Sequence, residues 1–274
     1  MLTSSSGPVM RDCAIVEPAR PVTDTELFWL QPPAALNLRP AEAHVLAFLL
    51  DDIRDLDHAR SLLSRDEKAR AARFHFDLHR NRFITGRAWL RTVLGNYLGL
   101  KPAKIAFKYS VSGKPALADA VANSGLKFNL AHSENVALLA VTSETEIGVD
   151  LECVRDLPDA GDLVCRFFSP RETALFHELP FNQKSTAFFN LWTRKEALLK
   201  ATGEGIARSL RSVEVSFLAH EPARLLSLPA GTQPLNHWSL HELHPAPGFT
   251  AALAVASFPI HLRTFSWPPE LNLC

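Results

Sequence analysis

The chain has 274 residues, 47% of them apolar and 21% charged, with a formal net charge of +0 at pH 7. That length allows one large domain or two of ordinary size, with enough apolar content for a full core. A balanced charge excludes a general duplex nucleic-acid binder, which needs a marked basic excess.

The four cysteines, Cys13, Cys153, Cys165 and Cys274, form no Cys-x-x-Cys pair and have no histidine cluster beside them. A structural zinc site is therefore not expected, and scattered cysteines read as reduced thiols. Met1 to Pro8 shows no basic start leading into an apolar run, so no secretory signal is expected. No apolar stretch reaches the roughly 18 residues of a membrane helix, and the expected location is the cytoplasm.

Residues 1–40 are rich in Ser, Pro and Ala and read as a loose arm, with a short ordered piece at Leu27-Phe28-Trp29-Leu30. Val45 to Leu50 has the length of a buried strand. Ser64, followed by Asp66 and Glu67, is a good helix N-cap. Phe83, Ile84, Ala88, Leu90, Val93, Leu94, Tyr97 and Leu98 keep helical spacing, so His79–Leu98 reads as a helix that Gly99 ends. Ile105–Tyr109 reads as a strand and Ser112-Gly113-Lys114-Pro115 as a turn.

Phe128–Leu130 reads as a strand running into His132 and Ser133. Val136–Thr142 and Ile147–Glu152 read as two more strands. Ser169 before Pro170 predicts a helix over about 170–179, and Ser185–Ala201 a long helix closed by Gly203. Val213–Leu218, Trp238–Leu243 and Ala251–Ser257 read as late strands, and the last residues as a second loose end. Consecutive late strands favour an α+β fold with antiparallel sheets over a doubly wound parallel sheet. The two halves look alike in layout, with a seam near residues 143–146. No residue-level repeat is visible. The boundaries are an arm at 1–40, halves at 41–145 and 146–262, and a tail at 263–274.

Strand side chains two apart share a face, so Asp150 and Glu152 point together, away from Val149 and Leu151. Such a pair alone is commonly a solvated strand face. In the helix, Trp192, Glu196 and Lys200 form one stripe, which alone is commonly a surface ion pair. The Phe188-Phe189 and Leu198-Leu199 pairs leave little exposed face, so Glu196 and Lys200 are expected to look into a cleft. Three carboxylates from a strand and a helix suit a hard cation such as magnesium, and Lys200 would add a point charge for phosphate. His132, Lys114 on its turn, and the basic run Arg70, Arg73, Arg80, Arg82, Arg87 and Arg91 each read singly as ordinary surface groups. A few of those arginines could line a phosphate-rich site.

Taken together, four segments resemble the 4′-phosphopantetheinyl transferases of the surfactin-synthetase-activating type. They are Gly113-Lys114-Pro115, Phe128-Asn129-Leu130-Ala131-His132-Ser133, Ile147-Gly148-Val149-Asp150-Leu151-Glu152, and Trp192 to Lys200 with Gly203-Glu204-Gly205. The resemblance spans about Val45 to Val255. It implies two similar α/β-sandwich halves related by a pseudo-twofold, with mainly antiparallel sheets and coenzyme A between them. It also implies transfer of the phosphopantetheine arm of coenzyme A to a serine of an apo acyl- or peptidyl-carrier protein, releasing 3′,5′-ADP, by a monomer.

The resemblance implies that Asp150, Glu152 and Glu196 ligate magnesium. On the same resemblance Glu196, Lys200 and Asp150 form the catalytic group, with Glu196 as general base directly or through a water. Lys200 reaches the phosphates, and Lys114 and His132 contact the nucleotide, His132 at its 3′-phosphate. Arg70 and Arg82 stand where the family has basic residues for the same ligand. Many relatives have Ser before the motif His, where this chain has Ala131, so a hydroxyl contact there is lost. The alternative is a non-catalytic coenzyme A or carrier-protein binding module, against which the intact acids and lysines argue. A different magnesium-dependent phosphotransferase lacks support, because no glycine-rich phosphate loop of the P-loop type is present. Fatty-acid, polyketide and nonribosomal-peptide carriers all remain open as partners.

Overall fold

A computed structural model describes residues 25–33, 35–110, 113–118, 124–203, 210–219 and 221–267. Residues 1–24 of the arm, Ser112 of the turn, Glu204 and Gly205 of the glycine motif, and residues 268–274 of the tail lie outside them.

The first half runs β1 (Glu42–Leu49), α1 (Leu56–Leu62), α2 (Arg65–Ala71), α3 (Asp77–Leu98), β2 (Phe107–Tyr109), β3 (Pro115–Leu117), β4 (Leu126–Ser133) and β5 (Val136–Ser143). The second runs β6 (Ile147–Cys153), α4 (Ala160–Phe167), α5 (Pro170–Glu178), α6 (Phe181–Thr202), β7 (Glu214–Val215), β8 (Leu225–Ser227), β9 (Ser239–Leu243), β10 (Phe249–Val255) and β11 (His261–Ser266). No helix among the described residues is long and apolar enough to cross a membrane.

A four-stranded sheet has the order β11-β1-β5-β4, and a three-stranded sheet the order β6-β10-β9. All pairings are antiparallel except β1 with β11. This is the expected α+β architecture. Period-two patterning puts Val45, Leu138, Val149 and Leu253 between the two sheets as one apolar layer. Helix α3 covers the outer face of the first sheet through Trp89, Leu90, Val93 and Leu94. Helix α6 covers the second through Phe188, Leu191 and Leu198. Each such buried side chain contributes about 1.5–3 kcal/mol.

Several expectations change. The final strand leaves the second half: β11 pairs with β1, with Glu42 opposite His261 and Ala47 opposite Ser266. Residues 263–266 are therefore sheet rather than loose tail, because the open edge of β1 supplies ladder partners. The ordered piece of the arm holds to that strand, Trp29 N donating to Ser266 Oγ (3.0 Å) and Ser266 N to Leu30 O (2.8 Å). The expected strand at Val213–Leu218 shortens to the two residues of β7, which has an irregular register with β8.

A residue-level repeat is present where none was visible in the sequence. Both long helices have 22 residues and end at a left-handed glycine, Gly99 (φ 65) and Gly203 (φ 75). Before each stands a Ser-x-x-Glu capping box, Ser64 with Glu67 and Ser169 with Glu172. Buried Glu67 is held by Arg87 and Arg91, and buried Glu172 by Lys195. Arg91 and Lys195 occupy the same position in their helices. Each also donates to the main chain, Arg91 to Ile105 O (2.7 Å) and Pro102 O (3.3 Å) and Lys195 to Leu210 O (2.7 Å). Arg87 and Arg91, read as part of a mostly solvated basic run, are thus buried structural cations.

Candidate active site

The site forms where α6 crosses β6. Alternation along β6 sends Ile147, Val149 and Leu151 into the layer between the sheets. Gly148, Asp150 and Glu152 then face α6. The helix comes unusually close at Gly148: a Cβ there would stand 2.0 Å from Ala197 O and 2.4 Å from Ala201 N. Ala252 and Ala254, the β10 partners of Asp150 and Gly148, keep the same face small. Close approach brings Glu196 and Lys200 of the helix to the strand carboxylates.

Lys200 Nζ donates to Asp150 Oδ1 (2.6 Å) and to Val149 O (3.2 Å). Asp150 and Glu196 are 6% and 5% exposed, and Asp150 Oδ2 and Glu196 Oε1 are buried without a hydrogen-bond partner among the described residues. Glu152 accepts a hydrogen bond from Ser133 Oγ (3.0 Å).

The electrostatics follow from burial and repulsion. Burial pushes the Asp150 carboxyl above its ordinary value against the pull of Lys200. Burial, then the charge of Asp150, push Glu152 and Glu196 up to about 7 each. Such upward shifts mark a carboxylate cluster short of positive charge.

The first half supplies the other wall. Lys114 follows Gly113, whose left-handed φ of 80 makes the turn, and its Nζ donates to Lys200 O (2.5 Å). Burial, with Lys127 and Lys200 nearby, lowers the Lys114 amine. His132 lies inside β4, not past a strand end, because the ladder with β5 continues to Ser133 opposite Val136. His132 is exposed overall, yet desolvation by its surroundings, then Lys200, Arg82 and His79, hold its imidazole below its ordinary range. Lys200, Arg82 and His79 line the wall on which His132 stands.

Arg82 belongs to that wall but is engaged. Its Nε and one terminal nitrogen bind both Asp51 oxygens (2.7 Å each), with Glu134 at 3.7 Å. The arrangement is bidentate. Arg70 is exposed, its guanidinium 5.3 Å over the Phe83 ring, and no bond ties it to the acids among the described residues. Ala131 is buried in the layer between the sheets. Sequence reasoning passed over Ser133 and Gly148, although both lie inside the motif segments.

No group of three or more His, Cys, Asp or Glu side chains among the described residues is gathered tightly enough to hold a metal ion. The donor types nonetheless fit a hard cation: three carboxylates, two of them with an orphaned buried oxygen, and an ammonium already bound to the first. Two cavities lie elsewhere and contain none of these residues. One, of about 440 Å3, is bordered by Trp29, Phe48, Trp89 and Trp267, and one of about 270 Å3 by Leu175, Phe217 and Arg224.

Residues 146–256 match the 4′-phosphopantetheinyl transferase superfamily, and residues 52–144 match the 4′-phosphopantetheinyl transferase N-terminal family. The 4′-phosphopantetheinyl transferase HetI of Nostoc sp. is 47% identical over 243 residues, which is 88% of this chain and 96% of HetI. The protein slr0495 of Synechocystis sp. is 38% identical over 66% of this chain and 72% of its own length. The 4′-phosphopantetheinyl transferase Sfp of Bacillus subtilis is more distant, at 25% identity over 76% of this chain and 89% of Sfp. By these matches the chain belongs to the 4′-phosphopantetheinyl transferase superfamily and is an enzyme of that class.

Proposed function

We propose that this enzyme, of the surfactin-synthetase-activating type, moves the 4′-phosphopantetheine group of coenzyme A to a serine of an apo acyl- or peptidyl-carrier protein. The observation that carries the reading is the pair of orphaned buried oxygens, Asp150 Oδ2 and Glu196 Oε1, beside the Lys200 ammonium. A buried carboxylate oxygen without a partner is costly, and a cation relieves that cost.

Asp150, Glu152 and Glu196 would hold a magnesium ion, which supplies charge neutralisation on the coenzyme A pyrophosphate. Closing that ligand set requires Lys200 to leave Asp150, which frees its ammonium for a phosphate oxygen. Lys114 and His132 face the nucleotide end. Arg82 orders the same wall through Asp51, and Arg70 would add an exposed cation for the same ligand.

In the reaction, the serine oxygen bonds to the β-phosphorus, and the bond from that phosphorus to the bridging oxygen breaks. The electron pair leaves with 3′,5′-ADP. Glu196 takes the serine proton, directly or through a water. Lys200 stabilises charge on the departing phosphate. Each half of the chain contributes residues to the site, and the enzyme would act as a cytoplasmic monomer.

Mass spectrometry of a panel of apo carriers incubated with the enzyme, coenzyme A and magnesium tests this. Gain of one phosphopantetheine group is expected. No gain on any carrier would favour a binding module instead.

A further inference from the structure

Strand β4 reaches β6 through side chains rather than a ladder. Asn129 Oδ1 accepts from Val149 N (2.9 Å), and Ser133 Oγ accepts from Cys153 N (3.1 Å). These two anchors stand on either side of Asp150 and Glu152. They share one face of β4 with Ala131, whose methyl group can form no such bond. Only Ser133 also touches an acid of the site, donating to Glu152 Oε2 (3.0 Å).

A serine hydroxyl has a single proton. With the Cys153 N–H directed at its oxygen, that proton is committed to Glu152 Oε2. The bond therefore fixes which oxygen of Glu152 is engaged and leaves Oε1 for a ligand. It also ties the carboxylate to the backbone of its own strand. Outer partners of this kind set the orientation and basicity of metal-binding carboxylates.

We propose that Ser133 is a positioning residue that holds Glu152 for a divalent cation; this rests on the acid-site reading above. Its neighbour His132 lies on the opposite face of β4, so one dipeptide serves both the nucleotide wall and the acid site. Asn129 provides an internal contrast. It anchors the same strand edge but touches none of the three acids.

The test measures Mn2+ binding by electron paramagnetic resonance, with coenzyme A absent. Wild type, Ser133→Ala, Ser133→Thr and Asn129→Ala are compared, and thermal melts are recorded for each. Ser133→Ala is expected to weaken Mn2+ binding by about tenfold. Ser133→Thr, which keeps the hydroxyl, is expected to stay close to wild type. Asn129→Ala is expected to lower the melting temperature with a smaller effect on the ion.

Equal Mn2+ affinity in wild type and Ser133→Ala overturns the proposal and leaves the acid site standing. An equal loss in Asn129→Ala also overturns it, because the effect would then belong to the strand edge. No binding by wild type removes the acid-site reading itself and this proposal with it.

Discussion

The main chain of Gly148 lies directly under that of Ala197, so close that a methyl group on the glycine would stand 2.0 Å from the Ala197 carbonyl oxygen. Backbone rather than a flexible side chain is in the way. Gly148→Ala must therefore push α6 off β6, and overpacking of this kind costs about 3 kcal/mol. Urea denaturation should show the loss, and activity should fall with it as Glu196 and Lys200 move from Asp150. A variant as stable as wild type would contradict this packing.

Replacing Glu196 separates stability from function. Its Oε1 is buried without a partner, and its charge is opposed by Asp150 and Glu152. Glu196→Gln removes the repulsion but also the base and one cation ligand. Turnover is expected to drop by about a hundredfold or more, with the melting temperature equal to or above wild type. Near-normal turnover with magnesium present would rule out both duties of Glu196.

Protons should compete with the cation at neutral pH. Glu152 and Glu196 are each pushed up to about 7, by burial first and then by Asp150. A carboxyl raised in the folded state contributes stability below its unfolded value, and that stability is lost as pH rises through the folded one. Without a cation, the protein should thus lose stability between about pH 5 and pH 7 from these two groups. Cation affinity should rise over the same range and level off above it, because the ligands must be deprotonated. Calorimetric titration at pH 6, 7 and 8 reads the trend, and affinity independent of pH would contradict it.

The paired carboxylates of the two halves should behave alike. Glu67→Ala leaves Arg87 and Arg91 buried without their partner, and Glu172→Ala does the same to Lys195. Breaking a buried ion pair from one side costs about 3–5 kcal/mol. Both variants should show losses of that size by urea denaturation at pH 7. Burial pushes the Glu67 carboxyl up, but Arg87, the Ser64 N–H and Arg91 outweigh it and hold the group below its ordinary value. The Glu67 contribution is therefore present above the ordinary carboxylate range and lost as pH falls through the folded value. In Glu67→Ala that part of the acid dependence should disappear.

Much of the fold was legible because it rests on local rules. Helical spacing and glycine stops placed α3 and α6 within a few residues, and Ser64 and Ser169 marked helix starts as N-caps. Alternation along Ile147–Cys153 gave the shared face of Asp150 and Glu152. The pairing of β11 with β1 was not legible, since ladder partners far apart in the chain leave no periodic trace. The repeat of capping box, buried glutamate and cation was hidden because Arg91 and Lys195 share a role and not an identity.

By itself the sequence singled out the candidate residues: three acids, two lysines and a histidine in four ordered segments. Only the tertiary structure decided how they are held. The close crossing at Gly148, the Lys200 bond to Asp150, the engagement of Arg82 by Asp51 and the Ser133 bond to Glu152 all join residues distant in sequence. Spacing along a chain fixes which side chains share a face of one element. Burial and the approach of a second element fix what each one meets, and so whether a carboxylate is a solvated surface group or a ligand near neutral pH.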